Sequence, residues 1–418
     1  MSGRPWRRRL ALFGLAVGIP VLSTACTATT ATGPTPSPTL TPSSDPTPTP
    51  TATASASGSA QPTPTPTASP TATPDGTDPA FIPALAAIQV LTPRLGWAVG
   101  SGAIFTTSDG AHWTKQYSST NEYVGLDFVS TTTGWVVGLH DLLGTTDGGR
   151  SWHELGEAAK PIRSVHFVSS SQGWGIAGGA GAQLVHGALM PTSAGTLVTS
   201  NDGGRSWTNL NSPADPQAVC FSDPSHGWLA TAGATIYASH DAGQTWTQAL
   251  QMYGHDQGLP SWARIECAGP GALWVLLATG NGAAGHSPYI AYATVDGTNW
   301  RTVMAEPGTI GTLMPGVPAG PDNHPGSMSV VDPSDAVFVG DGPATNVAAC
   351  VIATQGGATL KRTGAIADAP ETFDAAFLST SVGWVLARHS TGDFVIEATT
   401  DGGYHWTQQL SVTVPSPG

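Results

Sequence analysis

Short apolar segments recur along residues 80–418, and each contains an aromatic residue that glycine precedes in most copies. The segments are GWAVG, GWVVG, GWGIA, GWLAT, ALWVLL, AVFVG and GWVLA, with their aromatic residues at Trp97, Trp135, Trp174, Trp228, Trp274, Phe338 and Trp384. A further apolar position stands seven residues before each aromatic and is occupied by Val90, Phe128, Phe167, Phe221, Cys267, Val331 and Phe377. Apolar runs of this length between turn residues predict buried β-strands.

A second pattern, of the form S/T-x-D-x-G-x-x-W and one residue shorter in some copies, follows six of these segments. Its aspartates and tryptophans are Asp109 and Trp113, Asp147 and Trp152, Asp202 and Trp207, Asp241 and Trp246, Asp296 and Trp300, and Asp401 and Trp406. A degenerate seventh copy, ATQGGATL at 353–360, has Gln355 in place of the aspartate and Leu360 in place of the tryptophan. We call each copy a box.

The spacing of the boxes predicts the fold. Except across the degenerate copy, successive box tryptophans are 39 to 55 residues apart. Repeats of this length, built of short strands and turns, are typical of β-propellers, in which each repeat forms one four-stranded blade. Seven repeats predict an all-β, seven-bladed β-propeller of four-stranded blades over residues 80–418, with each box as the turn between the third and fourth strands.

The composition of the box indicates a structural role. An aspartate in a turn accepts hydrogen bonds from nearby backbone N–H groups, and glycine adopts the positive φ that tight turns require. The tryptophan then re-enters the blade as an apolar plug. Equivalent turns around one rim cannot converge on a single ligand, so we do not expect the box aspartates to be catalytic residues or metal ligands.

The box and its position resemble the Asp-box, or BNR, repeat of sialidases, sortilin-type receptors and photosystem II stability/assembly factor-like proteins. The combination of G-W-x-V-G with T-x-D-G-G-x-x-W looks most like the last group, and the resemblance extends over all seven repeats. It implies the propeller fold. It does not fix the function, because this fold occurs in enzymes, receptors and assembly factors.

The first 79 residues predict export and tethering. Residues 1–25 read as a signal peptide, because arginines precede an apolar run from Leu10 to Leu22 that is too short to cross a bilayer core of about 30 Å. Cys26 follows small residues and is expected to be lipidated, although simple cleavage after Ala25 stays open. Residues 26–79 are rich in Thr and Pro and predict a disordered linker. We expect the protein at the outer face of a bacterial cytoplasmic membrane or in the wall, or else secreted.

Charge and cysteine content narrow the partners and the compartment. After Cys26 the chain has 28 acidic and 11 basic residues, a net charge near −17, which argues against nucleic acid as a partner. Membrane contact is expected only through the lipid, and the propeller is expected to be monomeric. Cys220 stands eight residues before the aromatic of its repeat and Cys267 seven before that of the next. On equivalent strands their side chains therefore point to opposite faces, so they can meet between neighbouring blades as a disulfide. Their being separate buried thiols is the alternative, and Cys350 is expected in a strand core.

An exo-glycosidase of the sialidase kind is the enzymatic alternative. That chemistry needs three arginines around the substrate carboxylate, yet only eight arginines follow the signal peptide, and Arg150 and Arg205 lie in boxes. Asp127, His166 and Glu266 on the predicted inner strands fit an acid/base cluster, or else side chains bonded within the channel. Four loop histidines, at 186, 255, 286 and 324, lack the spacing of a metal site. We therefore expect no catalytic residues, no metal and no cofactor.

Four long insertions predict a binding surface on the rim opposite the boxes. They span 178–195, 249–263, 279–288 and 304–326, all in repeats three to six. Aromatic residues with polar neighbours on such loops suit recognition of a protein segment or a glycan. The candidate ligand-binding residues are Arg163, Tyr253, His255, Trp262, Arg264, His286, Tyr289 and His324. Insertions without any binding role remain the alternative. The expected function is thus a non-enzymatic, envelope-anchored binding domain.

Overall fold

A computed structural model describes residues 82–156, 160–179, 183–185, 188–190, 195–253, 261–279 and 286–413. The chain in these ranges is almost entirely β-structure, with one short helix, α1 (Thr309–Leu313). The described part of the chain contains no helix with the length and apolarity needed to cross a membrane. The predicted signal peptide, Cys26 and the linker lie outside the described residues.

The strands form a ring of antiparallel sheets. The first sheet contains β1 (Ala87–Thr92), β2 (Leu95–Thr107), β3 (Trp113–Phe128), β4 (Gly134–Gly138), β5 (Leu142–Thr145) and β6 (His153–Glu154). The second contains β7 (Ile162–Phe167), β8 (Gly173–Ala177), β11 (Thr196–Ser200) and β12 (Thr208–Asn209). A separate hairpin, β9 (Gln183–Val185) with β10 (Ala188–Met190), comes from the 178–195 insertion.

Four further sheets each consist of four consecutive strands. The third has β13 (Pro216–Phe221), β14 (Gly227–Thr231), β15 (Thr235–Ser239) and β16 (Thr247–Gln251). The fourth has β17 (Ser261–Gly269), β18 (Ala272–Thr279), β19 (Tyr289–Thr294) and β20 (Trp300–Ala305). The fifth has β21 (His324–Asp332), β22 (Asp335–Asp341), β23 (Val347–Thr354) and β24 (Thr359–Ala367). The sixth has β25 (Glu371–Phe377), β26 (Gly383–Arg388), β27 (Phe394–Thr399) and β28 (Thr407–Val412).

The prediction of seven blades is wrong, because the structure has six. The first two repeats share strand β3, which pairs with β2 through its first half and with β4 through its second half, so together they form one six-stranded sheet. The sequence gives the physical reason. The segment from Trp113 to Tyr123 contains neither glycine nor proline, whereas every later connection between repeats contains at least one of them. Without such a break, the outer strand of repeat one continues into the inner strand of repeat two.

Aromatic stacks hold adjacent repeats together. The ring of Trp97 stacks on Phe128 at 3.6 Å, Trp135 on Phe167 at 3.5 Å, and Trp174 on Phe221 at 3.6 Å. A box tryptophan meets each of these phenylalanines edge-on, as Trp152 does with Phe128 at 6.0 Å. The three residues of each stack come from the three recurring positions of the sequence. Stacked and edge-on pairs add about 0.5–1.5 kcal/mol each beyond the area they bury.

The glycine of the Gly-Trp segment makes room for this stack. A Cβ atom on Gly134 would lie 2.3 Å from the Phe128 ring, and one on Gly173 would lie 2.4 Å from the Phe167 ring. Real Cβ atoms do not approach a ring so closely, so any side chain here would displace the phenylalanine. The recurring dipeptide is therefore a packing requirement.

The ring closes through side chains. Apart from the β9–β10 hairpin, which interrupts the second, each sheet is built from consecutive strands, and no strand of the described chain crosses from the last sheet to the first. Instead, Gln409 on β28 accepts hydrogen bonds from the indole N–H groups of Trp113 and Trp384, both at 3.0 Å. On the channel side, the backbone N–H of Ile88 donates to Asp374 at 2.9 Å. We call this contact between the first and last sheets the seam.

Candidate functional site

The box turns are saturated with hydrogen bonds of their own. Asp147 accepts the backbone N–H of Ser151 at 2.9 Å and its hydroxyl at 2.7 Å, and Asp202 does the same with Ser206 at 2.9 and 2.6 Å. These hydrogen bonds lower the pKa of both aspartates to about 2. The pKa of the other four box aspartates is lowered for the same reason. Each carboxylate is thus ionised at neutral pH and engaged within its own turn.

The box tryptophans act as plugs, with Trp113 buried and the other five half-buried. We call the edge of the propeller that carries the six boxes the box rim. The opposite edge of the propeller, at which the second and third strands of each blade are connected, is called the insertion face.

Polar groups on the inner strands tie each repeat to the next. Gln89 donates to the carbonyl of Phe128 and accepts its N–H, and Asp127 accepts the N–H of Phe167 at 2.5 Å. His166 donates from Nε2 to the carbonyl of Phe221 at 2.7 Å. In the ladder these three side chains belong to residues paired opposite a repeat tryptophan.

The next two ties follow the same scheme. Cys220 is paired opposite Trp228 and forms a disulfide with Cys267 of the following sheet, and Glu266 is paired opposite Trp274 and accepts the N–H of Val330 at 2.9 Å. The positions that the sequence offered as an acid/base cluster therefore bond between strands in the structure. Cys350 is a free, buried thiol, and burial raises its pKa to about 11.

The central channel encloses a cavity of about 420 Å³ lined by the inner strands, including Arg163 and Arg264. Arg264 bridges Glu266 at 2.9 Å and Asp374 at 2.8 Å. Burial raises the pKa of both carboxyls and opposes the charge of the guanidinium, but the two carboxylates outweigh this and raise the pKa of Arg264. Arg163 is only 2% exposed and donates from Nη1 to the carbonyl of Leu139 at 3.0 Å. Both arginines are therefore part of the channel wall.

On the insertion face, residues 304–326 form an ordered element that we call the strap. Its anchor is Glu306, whose side chain is fully buried. The Glu306 carboxylate accepts hydrogen bonds from Nδ1 of His286 at 2.5 Å and from the N–H groups of Gly308 at 2.7 Å and Ile310 at 3.1 Å. One carboxylate thus fixes the start of α1 and joins the strap to the 279–288 insertion.

The far end of the strap is held by blades four and five. The hydroxyl of Tyr289 donates to the carbonyl of Asp322 at 2.8 Å, and the guanidinium of Arg362 donates to the carbonyls of Pro321 and Gly320. His324 lies beside Asp322 and is half-buried, and this burial lowers the pKa of His324. The strap thus brings His286, Tyr289 and His324 together.

The remaining candidate residues lie elsewhere or outside the described residues. Tyr253 is half-buried and donates its backbone N–H to the hydroxyl of Tyr292 at 3.1 Å. Trp262 is half-buried on β17. His255 falls outside the described residues, as does His186. Within the described ranges, no three His, Cys, Asp or Glu side chains are grouped so that they could hold a metal ion.

Two residues that organise this face were not among the sequence candidates. Glu306 is the one acidic residue between Asp296 and Asp322, and this isolation is the sequence feature that could have identified it. Arg362 gave no signal, because it lies on an outer strand whose contact with the strap depends on tertiary structure.

Comparison with known proteins supports the fold. The family model described as photosynthesis system II assembly factor YCF48 matches residues 107–252. A solved structure titled "YCF48 bound to D1 peptide" is 16% identical, with a TM-score of 0.51, and the match covers 76% of this chain and 93% of that one. YCF48 from Cyanidioschyzon merolae is 15% identical, covering 69% and 84% of the two chains with a TM-score of 0.46.

The same fold occurs in an enzyme. The GH74 xyloglucanase from Xanthomonas campestris is 13% identical with a TM-score of 0.51, and the match covers 78% of this chain but 54% of that enzyme. No curated protein sequence matches the chain. The chain is therefore a β-propeller with the fold of YCF48, and its residues 107–252 match the YCF48 family model.

Proposed function

We propose that this propeller is a non-enzymatic binding domain that holds a protein segment against its insertion face. Its signal peptide and Cys26 direct it to the outer face of a bacterial membrane, and residues 26–79 tether it there. The tether is long enough for the propeller to reach partners well above the bilayer, because a polyproline-like chain extends about 3.1 Å per residue.

The observation that carries this proposal is the anchored strap. Ile310, Met314 and Val317 pack into the same apolar cluster as Met252 and Tyr253, and the buried Glu306 carboxylate accepts the backbone N–H of Ile310. Leu313 on α1 is nevertheless 58% exposed. A fixed backbone that presents an apolar side chain to solvent is arranged for contact with a partner, because a pre-ordered surface loses little entropy on binding.

A protein segment is favoured over a glycan as the partner. Among the described residues of this face, the exposed apolar side chain is aliphatic Leu313, while Tyr253 and Trp262 are half-buried, and aliphatic surface suits a peptide side chain better than a sugar ring. One structural neighbour is YCF48 bound to a D1 peptide, which supports the same class of partner for this chain.

Glycosidase activity is the alternative. Sialidases are also six-bladed propellers, so the six blades of this structure do not set the chain apart from them. The case against this activity therefore rests on side chains. Arg163 and Arg264 are engaged in the channel wall, and Asp127, His166 and Glu266 tie neighbouring strands. A panel of fluorogenic glycosides tests it directly: turnover by the purified protein would replace the binding proposal with an enzymatic one.

Site-specific photocrosslinking tests the binding surface. A photoreactive amino acid in place of Leu313 is expected to capture a defined protein in the native host. The same photoreactive amino acid in place of exposed Lys115, on the outer strand of the first repeat, is expected to capture none. Equal capture at both positions, or capture at Lys115 alone, would contradict the proposed face. Incorporation of labelled palmitate into the wild type but not into Cys26→Ser tests the anchor separately.

A further inference from the structure

The box rim carries a second surface, at the one turn where the box pattern fails. Around the rest of this rim, six carboxylates with lowered pKa form an ionised ring, and their oxygens are occupied within their own turns. At the degenerate box, Gln355 is exposed and supplies no carboxylate, and its N–H bonds instead to Asp335 at 3.3 Å. The ring of box carboxylates is therefore interrupted in blade five, where the carboxylate against the turn is that of half-buried Asp335 at the start of β22.

Two of the three large apolar side chains that the described chain exposes flank this interruption. Val295, in the box of blade four, is 50% exposed, and Tyr404, in the box of blade six, is 48% exposed. Val295 lies against the degenerate turn, since a Cβ on Gly356 would be 3.1 Å from its Cγ1. On the other side, Gly364 of β24 bonds to Gly403, next to Tyr404. The surface is therefore continuous across three blades.

The same surface contains a cavity and two cations. A cavity of about 330 Å³ lies between blades four and five, lined by Ala293, Thr294, Val295, Asn299, Trp300, Arg301, Gln355 and Gly356, with no carboxylate among them. Arg301 is exposed at its edge. Lys361 is also exposed and holds its ammonium 5.2 Å from the centre of the Tyr404 ring. Neither cation has a carboxylate partner within the described ranges.

We propose that this surface is a second docking site, which binds an acidic peptide segment of a partner protein. The apolar part of the cavity, formed by Ala293, Val295 and Trp300, takes one apolar side chain of the segment, and Arg301 and Lys361 pair with carboxylates on either side of it. Charge complementarity selects this occupant, because Arg301 and Lys361 are exposed beside the one turn that lacks a box carboxylate and have no carboxylate partner among the described residues.

The chemistry of the surface favours a peptide over an anionic glycan. Sugar recognition usually relies on an open aromatic face, but the Lys361 ammonium already lies over the ring of Tyr404. Val295 offers aliphatic surface, which suits a leucine or phenylalanine side chain. The site is separate from the strap and independent of the function proposed there, so the protein would join two partners across opposite faces.

Fluorescence anisotropy with defined peptides tests the inference. The probe is a labelled octapeptide with leucine and phenylalanine at its centre and glutamate or aspartate elsewhere. The two comparison peptides replace the acids by amides or the apolar pair by glycine. The full-length protein is expected to bind the probe, to lose affinity as salt rises, and to bind both comparison peptides at least about tenfold more weakly.

Charge reversal and box repair supply the matched variants. Arg301→Glu with Lys361→Glu is expected to weaken binding of the probe about tenfold or more, whereas Lys115→Glu, which reverses a cation over the Phe105 ring elsewhere on the propeller, leaves it unchanged. Gln355→Asp restores a carboxylate at a positive φ of 56°, which aspartate tolerates, and is expected to weaken binding severalfold. Unchanged melting temperatures confirm that each variant folds.

Three outcomes would overturn the inference. Probe binding that survives reversal of both cations, or that Lys115→Glu weakens equally, excludes this surface. Equal binding of a sulfated polysaccharide, lost in the same variants, makes the occupant an anionic polymer. Concentration-dependent self-association that Arg301→Glu and Lys361→Glu abolish makes it a second copy of this acidic chain.

Discussion

Removing the disulfide between Cys220 and Cys267 should destabilise the propeller by a calculable amount. The bond closes a segment with a sequence separation of 47 residues. The chain-entropy relation for a loop of this size gives about 4 kcal/mol at 25 °C. Unfolding entropy is about 2.1 cal/mol/K per residue, so for a propeller of roughly 330 residues this free energy corresponds to a fall in Tm of about 6 °C.

The structure gives a reason to expect the full effect. Cys267 stands where three other repeats have the stacking phenylalanine, so Trp228 packs edge-on against Trp300 at 5.8 Å with no ring between them. Cys220 occupies the position from which Gln89, Asp127 and His166 make strand ties in other repeats. The disulfide therefore replaces both contacts at this junction.

Thermal unfolding followed by circular dichroism measures the effect. Cys220→Ala with Cys267→Ala is compared with the wild type, each with and without a phosphine reductant. Reduced wild type keeps both sulfur atoms, so it separates loss of the bond from loss of packing. Reductant should lower the wild-type Tm and leave that of the double variant unchanged. A double variant that melts within about 1 °C of the oxidised wild type would refute the reasoning.

Three further predictions concern packing, protonation and the strap. Gly134→Ala should lower the free energy of unfolding by about 1–3 kcal/mol in denaturant titration because its methyl group collides with Phe128, whereas Gly125→Ala, which has ordinary contacts, should cost less than about 1 kcal/mol. Burial raises the pKa of Asp341 in the folded protein well above its usual range. Its ionisation therefore destabilises the fold once the pH rises above the pKa of an aspartate in the unfolded chain, so Asp341→Asn should raise Tm more at pH 8 than at pH 4. Glu306→Ala removes the acceptor of two strap N–H groups and should speed hydrogen exchange at 308–314 while exchange in the blades stays unchanged.

Local features of the fold could be predicted from the sequence, because they depend on neighbouring residues. The box aspartates, the positive φ of their glycines and the position of the tryptophans all follow from turn chemistry. The repeat also identified the strands and the YCF48-like propeller. Blade number could not be read from it, because the merging of two repeats depends on the uninterrupted segment after Trp113, and repeat counting ignores such segments.

The candidate binding residues could be predicted only in part. The insertion pattern located His286, Tyr289 and His324 in one region, and the strap brings them together. Arg163 and Arg264 also stand near insertions in the sequence, but their partners, Leu139 and Asp374, belong to other blades. Such long-range pairing has no local sequence signal. Whether any of these residues contacts a partner stays a prediction.

The side-chain closure at the seam makes the molecule topologically an open series of sheets bent into a ring. Its chain order could therefore be circularly permuted without cutting a strand, by joining the region after Val412 to that before Ala87 and opening the chain between β12 and β13. The connection from the first repeat to the second is the exception. New termini in that connection would cut β3, which the first two repeats share, whereas no strand of the other five sheets is shared between two repeats.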